Sequence, residues 1–317
     1  MKQGGKEQRM ITRIITKNRE EWKDLRKQYI GGSDAASVVG MNPYKSAYSL
    51  WAEKTGKMPE FEGNLATDVG AYLEDFIAKR FEQETGKKVR RENASIHNSK
   101  YYWAIANYDR VVVGEDAGLE CKFTDSLNLK KYKGGEFPER FYAQCVHYLA
   151  VSGKKRWYLA VLIGNKDFKV FCIERDEDEI KALMAEEEKM YICIKGNTPP
   201  PVDGTDSTSD TITAIYPESN GEFISLIGYE ETLQHYMDLK ERIDDLEEQK
   251  KEVENKIKAF MKESEKGETE RFNVSWTSYE RSTFDHKTFS SDHSEIDLSK
   301  YYKTSKCRRF RIDGKNI

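Results

Sequence analysis

The sequence predicts a mixed α/β fold, a central sheet flanked by helices, followed by a long charged helix and a small α/β extension. Three observations carry this. Helical and strand periodicities alternate along the first 198 residues. Two pairs of short apolar strands each meet at a turn, the first Gly-bounded and the second at Asn165-Lys166-Asp167. After Pro199-Pro200-Pro201 a Thr/Ser/Asp/Gly-rich stretch gives way to a heptad-like stripe on a highly charged segment. The expected division is a domain over residues 1–198, a linker over 199–228 and an extension over 229–317.

In chain order, EEWKDLRKQYIGGSDAASVVG opens with a helical pattern in which Trp22 and Leu25 share a face. It breaks at Gly31-Gly32, and Ser33 and Asp34 are natural N-caps for AASVVG. NPYKS reads as a turn, and SLWAEKTG as a helix ending at Gly56. In DVGAYLEDFIAKRFEQETG the residues Val69, Leu73, Phe76, Ile77 and Phe81 recur at helical spacing, and Gly86 closes the helix. Glu74 shares a stripe with Gly70, Ile77 and Phe81, so it lies on or beside the apolar face. It is either a boundary carboxylate reaching water or part of a site.

YYWAIANYDRVVV, GEDAG and LECKFT read as a hairpin. With Val113 facing Leu119, Asp109 falls near the far end of LECKFT. Side chains alternate along a strand, so Leu119, Cys121 and Phe123 point one way and Glu120 and Lys122 the other. That pair is a solvated edge or the start of an active site. Spacing alone does not decide, because Glu-x-Lys recurs at Glu21/Lys23 and Glu187/Lys189. ERFYAQCVHYLAVSG is a further helix, with Gln144 and Tyr148 four apart on one side. The strands RWYLAVLIG and FKVFCIE follow, then the acidic amphipathic helix DEDEIKALMAEEEKMYICIKGN.

Composition narrows the class. No apolar run approaches the ~20 residues needed to span a bilayer, and the N-terminal stretch has no apolar segment of signal-peptide length. The five cysteines are scattered, odd in number and free of any CxxC, which points to reduced thiols in a cytoplasm. A net charge of −3 does not announce a nucleic-acid binder, yet 52 Lys and Arg residues can cluster into a local basic channel.

Phosphodiester cleavage needs a divalent cation, a positioned water and relief of developing negative charge. Magnesium takes hard oxygen ligands. Asp109 and Glu120 supply two carboxylates, and the main-chain carbonyl of Cys121 a third oxygen. Lys122 can orient or help deprotonate a water, and Glu74 can complete the ligand set or bind a second cation.

Asp109, a turn and Glu120-Cys121-Lys122 resemble the PD-(D/E)xK nuclease core of restriction-endonuclease-like folds, with Tyr108 where Pro is usual. More closely, EEWKDLRKQYIGGSDAASVVG, GAYLEDFIAKRFEQETG, ANYDRVVVGEDAGLECK, YAQCVHYLAVSG and VFCIERDE resemble, in order, the YqaJ-like viral recombinase family, related to phage lambda exonuclease. The resemblance implies Asp109 and Glu120 as metal ligands and Lys122 as the catalytic lysine. It implies supporting roles for Glu74, Gln144 and Tyr148, and a 5′-phosphate pocket at Arg26 and Ser33. An exposed arginine and an ordinary N-cap are the bland alternatives for the last two. It also implies Mg2+ (with Mn2+ substituting), 5′-to-3′ digestion of linear double-stranded DNA and a single-strand annealing partner. A trimeric ring and a phage or prophage origin in a bacterial cytoplasm complete the family picture. The competing readings are an endonuclease of the same superfamily and a catalytically inactive DNA-end-binding scaffold. The cysteine spacing disfavours an iron–sulfur relative.

In the extension, Tyr236, Leu239, Ile243, Leu246, Val253, Ile257 and Phe260 follow a 3–4 spacing with Lys250 filling one slot. The stripe packs on its own subunit, forms a coiled coil or binds the annealing partner, and the first is expected. Lys306, Arg308, Arg309 and Arg311 either touch backbone phosphates or face water.

Overall fold

The computed structural model describes residues 10–59, 61–304 and 307–314. The chain divides into two compact units, Met1–Tyr216 and Pro217–Ile317. The first contains β1 (Ile11–Ile14), α1 (Arg19–Gln28), β2 (Ile30–Gly31), α2 (Gly32–Val38), α3 (Ala47–Lys54) and α4 (Leu65–Thr85). It continues with β3 (Val89–Arg91), β4 (Ser95–Asn98), β5 (Ala104–Ala106), β6 (Arg110–Val112) and β7 (Ala117–Thr124). It closes with α5 (Glu139–Ser152), β8 (Arg156–Ile163), β9 (Asp167–Glu174), α6 (Glu177–Lys195) and α7 (Asp206–Ile215). The second holds α8 (Glu230–Met261), β10 (Lys266–Glu268), β11 (Asn273–Ser275) and α9 (His286–Asp292).

A five-stranded mixed sheet of order β3-β6-β7-β8-β9 is the spine of the first unit. β7 and β8 run parallel, and their other neighbours run antiparallel. On one face, Ile77, Ala78 and Phe81 of α4 pack on Leu119, Cys121, Tyr158 and Ala160. On the other, α5 and α6 pack on Trp157, Leu159, Val161 and Ile163. A central strand buried on both faces reads as an unbroken apolar run, as RWYLAVLI does. A smaller sheet, β1-β4-β5-β2, flanks it. This mixed sheet between helical layers is the mixed α/β architecture, a central sheet flanked by helices, that the sequence predicts.

Several local expectations change. YYWAIANYDRVVV is not one strand: β5 and β6 join different sheets, and the chain bends between them at Asn107–Asp109. The observed register is Arg110↔Leu119 and Val111↔Gly118, three residues from the expected Val113/Leu119 pairing. Val113 lies outside the strand and bonds instead to the Lys88 carbonyl. Gly31, rather than Ser33 or Asp34, caps α2, because the Asp34 carboxylate reaches back to the Gly31 N–H at 3.0 Å. Phe76 is 53% exposed, since the sheet accepts the narrower stripe Ile77, Ala78, Phe81. Within the expected linker, α7 forms on the cap of Thr205 and docks on α3 through hydroxyls. Ser49 Oγ lies 2.8 Å from Ser207 Oγ and 2.7 Å from Thr211 Oγ1. A helix whose buried face is Ser and Thr carries no apolar periodicity for a sequence reader to find.

In the second unit, the apolar stripe of α8 is exposed, with its seven side chains between 40% and 87% accessible; the other described elements of that unit do not cover it. CRRFRI forms no strand among its described residues, and Lys306 lies outside the described residues.

Two buried features hold the first unit in register with its site. Gly118 on β7 pairs with Trp157 on β8, and a Cβ there would come within 2.2–2.5 Å of the indole. The indole in turn lies against Tyr108 and Tyr148, with ring centroids 4.9 and 5.0 Å away. Separately, the buried Lys54 ammonium at the end of α3 reaches Asp34 Oδ2 at 2.8 Å and the carbonyls of Arg26 at 2.6 Å and Tyr29 at 2.9 Å. Burial works to raise the Asp34 carboxyl, but Lys54 and then Arg26 outweigh it and hold it well below its ordinary 3.8.

Gly118→Ala should therefore overpack the Trp157 site and cost about 1–3 kcal/mol, read as a lower urea midpoint at unchanged slope; an unchanged midpoint would contradict the close approach. Lys54→Met leaves Asp34 buried without its ammonium and should cost about 3–5 kcal/mol at neutral pH. A carboxyl held low stabilises above its unfolded value and loses that contribution as pH falls through its folded value. The gap between parent and Lys54→Met should therefore narrow in acid, below about pH 4, in paired denaturation curves.

Candidate active site

The bend at Asn107–Asp109 carries Asp109 to the level of β7 just past the last β6–β7 pair. There the Cys121 main-chain N–H donates to Asp109 Oδ2 at 2.7 Å. Glu120 and Lys122 face α5, opposite to Leu119, Cys121 and Phe123, as alternation requires. Lys122 Nζ sits 2.6 Å from Glu120 Oε1 and 5.4 Å from the Phe141 ring centroid. Gln144 Nε2 donates to the same Glu120 oxygen at 2.7 Å and to the Tyr148 hydroxyl at 2.8 Å. Tyr148 donates onward to the Asn107 carbonyl at 2.7 Å. One turn of α5 thereby ties the Glu120 carboxylate to the bend that carries Asp109.

Glu74 reaches the same place from α4 and is half-buried. Arg110 Nη1 donates to Glu74 and, at 2.7 Å, to the Asp109 carbonyl; its Nη2 donates to Asp75 at 2.6 Å. The sequence reading missed Arg110 and Asp75. Nothing in the sequence marks them: that the guanidinium is buried, and so requires carboxylate partners, shows only in the fold.

The electrostatics suit a cation. Burial, then Glu120 and Glu74, push the Asp109 carboxyl well up, against Lys122 and the Cys121 N–H. Burial also raises Glu120, against Lys122. Burial works to lower Lys122, but Glu120 and Asp109 outweigh it, so the ammonium stays protonated. Burial, then Glu120 and Asp109, raise the Tyr148 hydroxyl and keep it a donor. Glu120 Oε1 has two donors, whereas Oε2 is buried with no hydrogen-bond partner. A buried, partnerless carboxylate oxygen is costly unless a cation or water meets it. Among the described residues no three His, Cys, Asp or Glu side chains form a ready metal cage. The donor set is two carboxylates and a strand edge, the kind that holds a hard, largely hydrated ion.

Arg26 and Ser33 lie together: Arg26 Nη2 donates to Ser33 Oγ at 2.9 Å, and the guanidinium stacks on Trp22 at 4.9 Å. They line an open cleft of about 510 Å³ with Arg19, Lys23 and Lys45 and with the acids Asp34, Glu53, Glu62 and Asp68, of which Glu53 pairs with Lys45 and Asp34 with Lys54. A second cleft, of about 300 Å³, is lined by Glu74, Asp109 and Arg110, and Trp22 forms a wall of both. All eight side chains singled out in the sequence therefore fall into two groups, six around the acids and two in the larger cleft, with Trp22 lining that cleft and the one beside Asp109. Lys54, which pins the backbone of Arg26, was also missed; SLWAEKTG offers no signal for it.

Behind α5, His147 lies 2.8 Å from Glu187 on α6 and 2.9 Å from the Ile105 carbonyl, with both side chains fully buried. Burial works to lower His147, but Glu187 outweighs it, so both ring nitrogens can donate.

The YqaJ-like viral recombinase domain model matches residues 21–155. The "Uncharacterized protein YqaJ" of Bacillus subtilis (strain 168) is 37% identical over 309 residues, covering 94% of this chain and 97% of that protein. A shorter match, 40% identical over 55 residues (17% of this chain and 16% of that protein), is to Protein D345L of African swine fever virus (strain Badajoz 1971 Vero-adapted). Among solved structures, an alkaline exonuclease from Laribacter hongkongensis aligns with a TM-score of 0.47 and 19% identity over 56% of this chain and 94% of its own. A phage-related exonuclease from Haemophilus somnus 129PT aligns at 0.40 and 14%, over 56% and 99%. With the sequence match to the Bacillus protein running nearly end to end, the chain belongs to the YqaJ-like viral recombinase family.

Proposed function

We propose that the protein is a metal-dependent DNA exonuclease that digests linear duplex from a 5′ end and leaves a 3′ single strand for recombination. One observation carries the reading: Asp109 is held on the Cys121 N–H of β7, which also carries Lys122 and Glu120, whose Oε2 has no partner, and Asp109 and Glu74 line a cleft that shares Trp22 with the cleft of Arg26 and Ser33.

Asp109, Glu120 and the Cys121 carbonyl would hold Mg2+ or Mn2+, with Glu74 as a further oxygen donor. In an extended strand a residue's N–H and C=O leave on the same edge, so that carbonyl faces the side of Asp109. The ion supplies Lewis acidity toward phosphate and lowers the pKa of a bound water. Lys122 places a fixed ammonium where charge develops on the scissile phosphate, and orients the attacking water. Gln144 and Tyr148 keep the Glu120 carboxylate in one rotamer. Arg26 offers a bidentate fork, and Ser33 a hydroxyl, to a terminal 5′ phosphate. The shared Trp22 wall puts that end one cleft from the acids, so the bond cut is near the end that is held. The Bacillus relative fits action in a bacterial cytoplasm on phage or prophage DNA, with a single-strand annealing protein taking the product.

The test is linear duplex with and without a 5′ phosphate, with Mg2+ or chelator, beside closed circular DNA. Metal-dependent release of mononucleotides from linear DNA is expected. Lys122→Ala should lose about 100-fold or more of the rate while still binding DNA by gel shift. Arg26→Ala should mainly erase the preference for phosphorylated ends. Cutting of circles would overturn the exonuclease reading, and binding without cleavage would overturn the enzyme.

A further inference from the structure

Seven of the ten arginines described in the first unit pair with a carboxylate within 4.0 Å. The exceptions are Arg19 and Arg26, which line the larger cleft, and Arg140 in the first turn of α5. Arg140 is half-buried, and among the described residues its side chain has neither an ion pair nor a hydrogen bond. Glu136 and Glu139 border the same open groove without pairing to it. Two aromatic rings hold it instead. Its guanidinium carbon lies 5.2 Å from the Tyr44 ring centroid and 4.5 Å from that of Phe141. Stacking engages the flat faces of a guanidinium and leaves the N–H groups at its edge free to donate.

The Phe141 ring also carries Lys122, whose Nζ is 5.4 Å from the centroid. With both cations on one ring, Arg140 and Lys122 are at most about 10 Å apart, a span of about three nucleotides along one DNA strand. On the other side of the guanidinium, Tyr44 is 73% exposed, and its neighbours Asn42 and Lys45 line the cleft of Arg26 and Ser33.

We infer that Arg140 is a substrate-binding residue whose guanidinium takes a backbone phosphate of the strand being cut, with Tyr44 and Phe141 clamping it for that contact. The inference rests on the nuclease reading above. Arginine suits the task because its edge presents two parallel donors to phosphate oxygens. The phosphate it takes lies within about three nucleotides of the scissile bond, as the shared ring requires. An arginine spent on a carboxylate would have to give up that partner first; Arg140 has none to give up.

The test is binding of linear duplex by the full-length chain, in chelator so that nothing is cut, over a salt series. Arg140→Met keeps an apolar stem between the rings and loses the charge. It should bind about tenfold more weakly, and its slope of log affinity against log salt should be shallower by about 0.9. Arg140→Lys and Tyr44→Ala both keep the charge and should keep the wild-type slope. A single methylphosphonate, which removes one phosphate charge, is then walked along the cut strand. Close to the scissile bond it should weaken wild type and leave Arg140→Met no weaker than before. An unchanged slope in Arg140→Met, or a methylphosphonate profile identical to that of wild type, would overturn the inference. Wild type that binds but does not cleave when Mg2+ is added defeats the nuclease reading and leaves the phosphate contact to be read from the same curves. Wild type that binds no DNA overturns both.

Discussion

The hydrogen bond from the Cys121 main chain to Asp109 is the contact on which the site depends. Asp109 sits where the chain leaves one sheet and enters another, a bend free of ladder partners. The Cys121 N–H, beyond the last β6–β7 pair at Leu119, captures the carboxylate and holds it beside Glu120. Two acids set this close, with Glu74 nearby, oppose folding, because each raises the cost of ionising the others. Lys122 and Gln144 offset part of that cost, and both do so on one Glu120 oxygen. The imbalance, one oxygen doubly satisfied and its twin bare, is a demand for positive charge built into the chain. Destabilised clusters of this kind concentrate at functional sites.

Stiffness around the cluster comes from buried ion pairs more than from apolar packing alone. Lys54–Asp34 ties α3 to the carbonyls behind Arg26, and His147–Glu187 ties α5 to α6 and to β5. Buried pairs contribute little net stability against apolar substitutes of the same shape. What they contribute here is position: Lys54 spends its three N–H groups on Asp34 and the carbonyls of Arg26 and Tyr29, and His147 its two on β5 and α6. Gly118 serves the same end by absence, since the indole that fills its space braces Tyr148.

Much of this was legible in the residues. LECKFT announced its two faces because a strand between two helical layers must alternate, and Glu74 showed itself as the carboxylate on an apolar stripe. Gln144 and Tyr148 share a helix face by their four-residue spacing, while their place beside the acids came from the family resemblance. The hairpin register was not legible. GEDAG fixes that a turn exists, but β6 ends before Val113, so the pairing follows the bend at Asn107, a tertiary event. The helix in the expected linker was hidden for a different reason. Its contacts are hydroxyl to hydroxyl, and sequence periodicity reports apolar burial. Arg110, Asp75 and Lys54 were missed because a charged side chain looks alike in sequence whether it faces water or carries a buried pair, in a chain that is 34% charged.

The two units differ in what they leave unsatisfied, and the difference bears on how they work. The first unit is closed in its apolar chemistry, with a core on each face of the sheet, and open in its charge. The second is the reverse: charges pair along its long helix at Lys250–Glu254 and Lys256–Glu252, while its apolar seam stays wet. A buried oxygen without a partner calls for a donor or a positive charge, and an exposed apolar stripe for an apolar surface, so the two deficits are of different chemistry and neither can answer the other.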